Sequence, residues 1–581
     1  MDRKSIIILV AAIGVLFALS PVVDHFFPPK PLPITATMAA PTNAPEQSNL
    51  PAAPGPAASA PILSQPSVAE KTLTVSNADM ISHFTSHGGG LKAVDLRNYP
   101  AAVSRTSRTG WETARASLNS MAPVPVLSVL GEGVQGDGYF ALTSSEGVIR
   151  AEKTLTNGLR LIKEFEPETN YFFKARLVLE NTTSQPLVVP AREVVIGTST
   201  AIGPLDDPTA MGTFWYNGVK SQNIKDPWFA NRTLGCLPGI PRAVYEEGAS
   251  NVVWAAVHNQ FFALAAIPSN PAPRIVIRKI NVPAPDLQGP TNSMSATLTN
   301  GYQAAFAYGA MVLPAHGSSE TAFTFYAGPK EYNRLAEAAQ VMNNNLDLIM
   351  DFTGPFGFFS KLLLLAMNGL HKTGLQYGWT VIAITVILKV VFWPLTRASI
   401  NSQKRMQALQ PQIQAIAEKY KDDPLKKHQK TTEFLKEQKV SQFGSCLPTL
   451  LQIPVFFGFY WMLRNAIELR GAHFLWVNDL SQPDTVAYLA GFPVNPLPLI
   501  MGATQLWQSA LTPPAPGMDP GQQKVMKFMP VLFIALLYRM SAGLTLYWTV
   551  QNLLSILQMK LTKTVTGTAP VAAPAMVKKK K

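Results

Sequence analysis

The chain has 581 residues, of which 47% are hydrophobic and only 15% charged, and its formal net charge is +13. Such a length admits several domains, and so low a share of charge argues against an ordinary soluble enzyme. The positive charge gathers in residues 397–440 and in Lys578 to Lys581, beside apolar segments and without an accompanying nucleic-acid motif. It therefore fits positive-inside membrane topology and excludes a specific nucleic-acid surface as the first reading.

The chain begins MDRKSIIILVAAIGVLFALSPVVDHFF, two basic residues ahead of an apolar run from Ile6 to about Val23. A cleaved signal peptide usually has a shorter run ending in an A-x-A-like site. The pattern predicts a retained signal anchor over 1–27 with a cytoplasmic N-terminus. Residues 28–70 are rich in Pro, Ala and Ser and read as a linker.

Period-two alternation then takes over. In YFFKARLVLENTT (171–183), Phe173, Ala175, Leu177 and Leu179 share one face, and Lys174, Arg176 and Glu180 point the other way. Asn157-Gly158 signals a hairpin with a type I′ turn. A second hairpin is expected between NVVWAAV (251–257) and FFALAAI (261–267). Residues 71–330 are thus predicted to form one large antiparallel β-sandwich outside the cytoplasm. Cys236 and Cys446 fall on opposite sides of the bilayer in this topology and cannot pair. RLAEAAQVMNNNLDLIMDF follows, with Leu335, Ala338, Ala339, Met342, Leu346 and Ile349 on one face, so 331–352 reads as an amphipathic helix at the membrane interface.

Five further apolar segments are expected to span: 376–396, 447–466, 495–511, 525–540 and 542–561. The connection 397–446 carries ten Lys/Arg against five Asp/Glu, whereas 464–493 carries two against three. The first belongs in the cytoplasm and the second outside, and the basic tail 562–581 lies inside. Six spans with both termini cytoplasmic satisfy every loop. Within 397–446, two helical stretches flank the KDDP turn at 421–424 and predict a cytoplasmic helical hairpin.

Polar residues recur inside these spans. Thr385, Lys389 and Thr396 stand at i, i+4 and i+11; Ser445, Thr449 and Gln452 share a face; Thr545, Thr549, Asn552 and Ser555 follow helical spacing beside Trp548; Thr504, Gln505 and Gln508 lie in the fourth span. A Lys at the centre of a span costs about 2.5–3.5 kcal/mol. Two readings stand. Either these faces enclose a shared wet cavity, or the Ser and Thr hydroxyls merely bond backbone while Lys389, about 9 Å from the Leu395 end, snorkels to the headgroups. No carboxylate lies within the spans to serve a proton relay.

YAGPKEY (326–332), YGWTVIAITVILKVVFWPLT, MQALQPQIQAI (406–416), GSCLPTLLQIPVFFGFYWML (444–463), QQKVMKFMPVLF (522–533) and SAGLTLYWTVQNLLSILQ (541–558) together resemble the YidC family of membrane protein insertases, in its long Gram-negative form with a periplasmic domain. The resemblance implies a polytopic α-helical inner membrane protein of six spans, with a large periplasmic antiparallel β-sandwich and a cytoplasmic helical hairpin. It implies a chaperone that inserts and folds membrane proteins, alone or with the Sec translocon, without cofactor or metal. In that family a positive residue of the second span sits in a hydrophilic groove and attracts the acidic outer part of a client. Lys389 stands where the family usually has Arg, and a Lys, unlike an Arg, does not stay charged at all pH values, so capture is expected to be more pH-sensitive here. Thr385, Gln452, Trp548, Thr545, Thr549 and Asn552 would line the groove. Phe456, Met526, Phe528 and Met529 would offer an adaptable apolar surface, with helix packing as the alternative for each Met. Ser441-Gln442 departs from the family's usual Asn-Pro. The expected partners are nascent membrane proteins, Sec components and membrane lipids. The basic loop and tail are candidates for ribosome contact, unless they only fix topology.

An enzyme reading would lodge in the β-sandwich, but His83, His87, His258 and His316 show no metal or triad spacing, and Asp206-Asp207 would face apart on a strand. A transporter reading lacks an internal repeat of spans.

Overall fold

The computed structural model describes residues 63–64, 66–103, 114–203, 206–232, 239–285, 298–352, 356–421, 423–438, 447–511 and 520–562. The expected anchor, nearly all of the linker, both cysteines, Ser441-Gln442 and all but the first residue of the tail lie outside these. The chain divides into two compact units, one ending at Asp351 and the other built from the residues after it apart from Asn465–Ile467.

The first unit is an antiparallel β-sandwich whose strands run from Thr72 to Pro329. A nine-stranded sheet begins at Ser221–Ile224 and ends at Ala141–Ser145, with Phe262–Pro268, Ser318–Pro329 and Phe172–Asn181 adjacent near its middle. A five-stranded sheet faces it, centred on Leu298–Tyr308 between Arg274–Pro283 and Arg192–Ser199. Gly197 marks their close approach. It sits at a β-bulge, and a Cβ there would fall 2.5 Å from Leu264 Cδ2 of the opposite sheet. Phe306 and Phe323 stack between the layers, 6.2 Å apart and 9° from parallel. A four-stranded sheet, Thr72–Ser76 to Arg115–Leu118, and a two-stranded ribbon of Leu187–Val189 with Met311–Leu313 also belong to this unit.

The alternation at 171–183 has its expected outcome: Phe173, Ala175, Leu177 and Leu179 are all buried. On the other face Arg150, Arg160 and Arg176 interleave with Glu152, Glu164, Glu180 and Glu320 in ion pairs that, apart from Arg150–Glu152 within one strand, cross between strands. The 251–267 hairpin also forms, with Ala255 opposite Ala266 and Val257 opposite Leu264. Asn259 Oδ1 accepts the Phe261 and Phe262 amides in its turn. The Asn157-Gly158 turn differs from expectation. Only Gly158 has positive φ, whereas type I′ needs it at both central residues. Gly158 N–H closes instead on Leu155 O at 3.0 Å, and Asn157 Oδ1 accepts the Leu159 amide, which makes a longer loop around a type I turn.

Two short helices belong to this unit, α1 (Asp226–Ala230) and α2 (Tyr332–Met342). The amphipathic helix expected over 331–352 is really α2 followed by a 3₁₀ turn, Leu346–Met350. Asn343 and Asn345 take left-handed conformations, which Asn tolerates, and break the helix between the two pieces. Nor is its apolar face left for a membrane surface. Leu335, Leu346, Ile349 and Met350 are fully buried in protein. Trp254 Nε1 donates to Asn344 O at 2.9 Å, Asn345 Nδ2 donates to Tyr216 Oη, and Asn223 and Lys225 both donate to Asp351 Oδ2. The segment is an integral flank of the sandwich.

The second unit is helical: α3 (Gly357–His371), α4 (Tyr377–Val391), α5 (Trp393–Lys419), α6 (Pro424–Glu437), α7 (Leu447–Asn465), α8 (Pro496–Leu511), α9 (Pro520–Leu537) and α10 (Ala542–Leu561). Sequence reading passed over α3, an apolar helix that packs on α4 and whose Ser360 Oγ donates to Gly458 O of α7 at 3.0 Å. Helices α5 and α6 pack together about an apolar seam of Met406, Ile413 and Leu435, and Asp423 caps α6 through the Lys426 amide. Among the described residues no single helix is long and apolar enough to cross a membrane, but α4 and the start of α5 have that length and composition together, across a 63° bend. The expected span 376–396 is thus interrupted at Phe392, where Pro394 opens α5 in the first turn.

One strand residue breaks the pattern of its face. Lys163 is fully buried, its Nζ donating to Gly88 O at 2.6 Å and lying 4.4 Å from the Phe140 ring centre. Burial, reinforced by nearby Lys153, pushes its amine down to about 7 from 10.5. Between those two values the unfolded chain holds a proton that the folded chain lacks, so stability rises with pH across that window and is flat below it. Compared with Lys163→Met, the wild-type sandwich should gain up to about 1.4 kcal/mol per pH unit above pH 7. Hydrogen exchange of the Leu159–Pro167 amides at pH 7 and 9, corrected for intrinsic rates, measures this; parallel profiles for the two proteins would refute it.

Candidate functional site

The helical unit is apolar outside and encloses a set of polar groups. Val390, Val391, Leu499, Trp507, Leu532, Leu536 and Leu557 are exposed on α4, α8, α9 and α10, while Thr385, Lys389, Thr504, Thr545, Thr549, Asn552 and Gln558 are buried. Apolar exteriors on this scale suit lipid rather than water. The buried polar groups lie on α4, α8 and α10, and α10 packs against both other helices.

Lys389 lies in the last turn of α4, only 8% exposed. Its Nζ donates to Ser555 Oγ of α10 at 2.8 Å. One turn further along α10, Gln558 Nε2 donates to Thr396 Oγ1 at 2.6 Å and reaches Trp393 O at 3.4 Å. Asn552 Nδ2 reaches Thr504 Oγ1 of α8 at 3.2 Å, and Trp548 Nε1 donates to Gln505 Oε1 at 3.1 Å. Gln452 of α7 is hydrogen-bonded to the Tyr547 hydroxyl. Phe456 meets Trp548 edge to face at 4.7 Å, so these two expected residues are neighbours.

Three expected residues behave more plainly. Thr385 Oγ1 donates to Val381 O, Thr549 Oγ1 to Thr545 O, and Thr545 Oγ1 to Ala542 O, all within their own helices. Each is back-bonded and spends its proton on backbone. Phe528 and Met529 are exposed on α9, and the Met526 side chain lies outside the described residues. Sequence reasoning placed Ser555 on the polar face of α10 without a role of its own and passed over Gln558 and Tyr547. For Gln558 the signal was there, since it prolongs the Asn552–Ser555 stripe by a further three-residue step.

The described residues of the sandwich offer no comparable chemistry. His83 pairs with Asp95 at 2.9 Å, and His87 Nε2 lies 2.9 Å from Val68 O. His258 is buried between Asn223 and its own turn, and desolvation holds it well below the ordinary imidazole value. Asp206 accepts the Ile202 and Gly203 amides, and Asp207 caps a 3₁₀ turn through Thr209. Among the described residues no three His, Cys, Asp or Glu converge to hold a metal ion.

Residues 72–366 match the family model of the YidC periplasmic domain, and residues 369–568 that of the 60Kd inner membrane protein. Together they define an inner membrane protein that carries a periplasmic domain. The membrane protein insertase YidC of Nitratidesulfovibrio vulgaris is 31% identical over 490 residues, covering 81% of this chain and 82% of the relative. That of Bordetella avium is 31% identical over 501 residues, 83% of this chain and 81% of the relative. A crystal structure of an active YidC insertase with its first transmembrane domain resolved aligns with 86% of this chain and 95% of its own, at 18% identity and a TM-score of 0.33. The chain belongs to the YidC family, whose members are named as insertases and not as enzymes.

The hydrogen bonds separate two groups of polar residues. Replacing Thr545 or Thr549 by Val should leave insertion of a single-span test protein within about twofold, because each hydroxyl only serves its own backbone. Asn552→Leu removes a link between α10 and α8 and should lower insertion by several-fold. Quantitative protease-protection of the test protein in all three variants checks this ordering.

Proposed function

We propose that this chain inserts membrane proteins into the bacterial inner membrane and assists their folding. The observation that carries the reading is Lys389, an ammonium on an apolar-jacketed helix whose described protein partner is one neutral hydroxyl. An ammonium has three donors, so this site keeps capacity for an acidic group that arrives from elsewhere. Residues of α4, α7 and α10 then form a hydrophilic groove lined by Thr385, Gln452, Trp548, Thr545, Thr549 and Asn552. A client's acidic outer segment is drawn to Lys389 while its apolar helix passes Phe456, Met526, Phe528 and Met529 into lipid. The groove lowers the cost of moving a polar segment by wetting its path, and no covalent bond changes.

In this reading six helices span the membrane: the anchor in 1–27, the bent segment 376–396, and 447–466, 495–511, 525–540 and 542–561. The linker 28–70 tethers the sandwich in the periplasm, the hairpin 397–446 and tail 562–581 lie in the cytoplasm, and both termini are inside. The charge asymmetry of the loops supports that orientation. The basic hairpin and tail suit contact with ribosomes and anionic lipids, and the same chain works alone or beside the Sec translocon.

The test is insertion of a small single-span protein with an acidic N-terminal segment in cells depleted of their own insertase. Lys389→Arg should retain insertion and Lys389→Ala should lower it at least tenfold. Equal insertion by all three proteins would reduce Lys389 to a snorkelling anchor.

A further inference from the structure

The surroundings of Lys389 contain a feature that the groove reading does not require. A Lys one turn from the end of its helix has a stem long enough to carry its head toward the interface. Here the head instead crosses to α10. Ser555 makes that possible through the direction of its own proton, because Ser555 Oγ donates to Gln551 O at 2.8 Å. With its one hydrogen committed to backbone, the hydroxyl presents only lone pairs to Lys389 and acts as a fixed acceptor. The same device recurs beyond the bend. Thr396 Oγ1 donates to Phe392 O at 2.9 Å, which leaves it as acceptor for Gln558. Lys404 Nζ then donates to Thr562 O at 2.5 Å, a cation on the carbonyl end of α10. Ser555, Gln558 and Thr562 therefore bind α4 and α5 on both sides of Phe392, and Ser555 is the rung that carries the charge.

We propose that Ser555 is a positioning residue for insertion: it holds the Lys389 ammonium inside the groove, against the pull of the interface, at the point where a client's carboxylate takes it over. This rests on the reading of Lys389 as the capturing charge. Gln558 and Lys404 keep α10 in register so that the acceptor stays opposite Lys389. The acceptor is neutral, so exchange of Ser555 for a carboxylate gains charge pairing, whereas an Asp or Glu in its place would compete with the client.

A double-mutant cycle tests this, using the full chain in insertase-depleted cells with two clients that differ only in an acidic or an uncharged N-terminal segment. Ser555→Ala should reduce insertion of the acidic client about tenfold, the effect of losing about one charge-assisted hydrogen bond, and that of the uncharged client less than twofold. Ser555→Thr, which keeps the back-bonded hydroxyl, should restore wild-type insertion. In a Lys389→Ala background, Ser555→Ala should add nothing. Equal losses in both backgrounds, or equal losses for both clients, would make Ser555 a packing residue and overturn the proposal. Full activity of Ser555→Ala beside a defective Lys389→Ala would overturn it while leaving the capturing charge intact. Full activity of Lys389→Ala would overturn both.

Discussion

A charge and several amides sit inside a helical assembly whose outside is hydrocarbon-like, and the rest of the second unit follows from that inversion. In water, polar groups solvate themselves at the surface; against lipid they must find one another. The cross-helix bonds of Asn552, Trp548, Gln558 and Lys389 are the result, and each joins α10 to a different neighbour or a different turn. Helix α10 is accordingly the organiser of the unit, because it contributes the polar member to nearly every such contact. The bonds are few and mostly neutral.

The sandwich obeys the opposite rule. Its charges stand outside in a cross-strand ladder of Arg and Glu, and its aromatic and aliphatic residues fill the space between two sheets. Exposed pairs of that kind add little each, and stability comes from the apolar layer. The chain thus joins two solutions to the same problem of burial, one for each solvent, and residues such as Lys163 show how a single exception is accommodated by one carbonyl and one ring.

How much of this could be read beforehand depended on the range of the determinant. Strand 172–181 was legible because alternation is local and one face is buried along its whole length. The Asn157-Gly158 hairpin was legible in place but not in turn type, since Asn157 does not take the positive φ that type I′ requires. For 331–352 the pattern showed an apolar face but could not show what covered it; Trp254 and Tyr216, far away in sequence, decided that. Helix α3 was missed because Ser360-Lys361 and Asn368 interrupt its apolar run. In the helical unit, the polar stripes were visible from spacing, yet Thr385, Thr545 and Thr549 turned to their own backbones. Lys389 found its partner 166 residues away, which no local periodicity reveals.

The burial of Lys163 has a consequence for how the periplasmic-type domain can be watched. An amine enclosed by Gly88 and Phe140 is shielded from aqueous acylating reagents, while exposed lysines such as Lys92 and Lys174 are not. Its modification therefore requires the strands around it to part. Each acylated Lys163 records one opening of the sandwich and, because the bulkier neutral adduct no longer fits beneath the Phe140 ring, prevents that copy from closing again. The residue is a built-in latch detector: a one-way chemical count of how often this domain breathes.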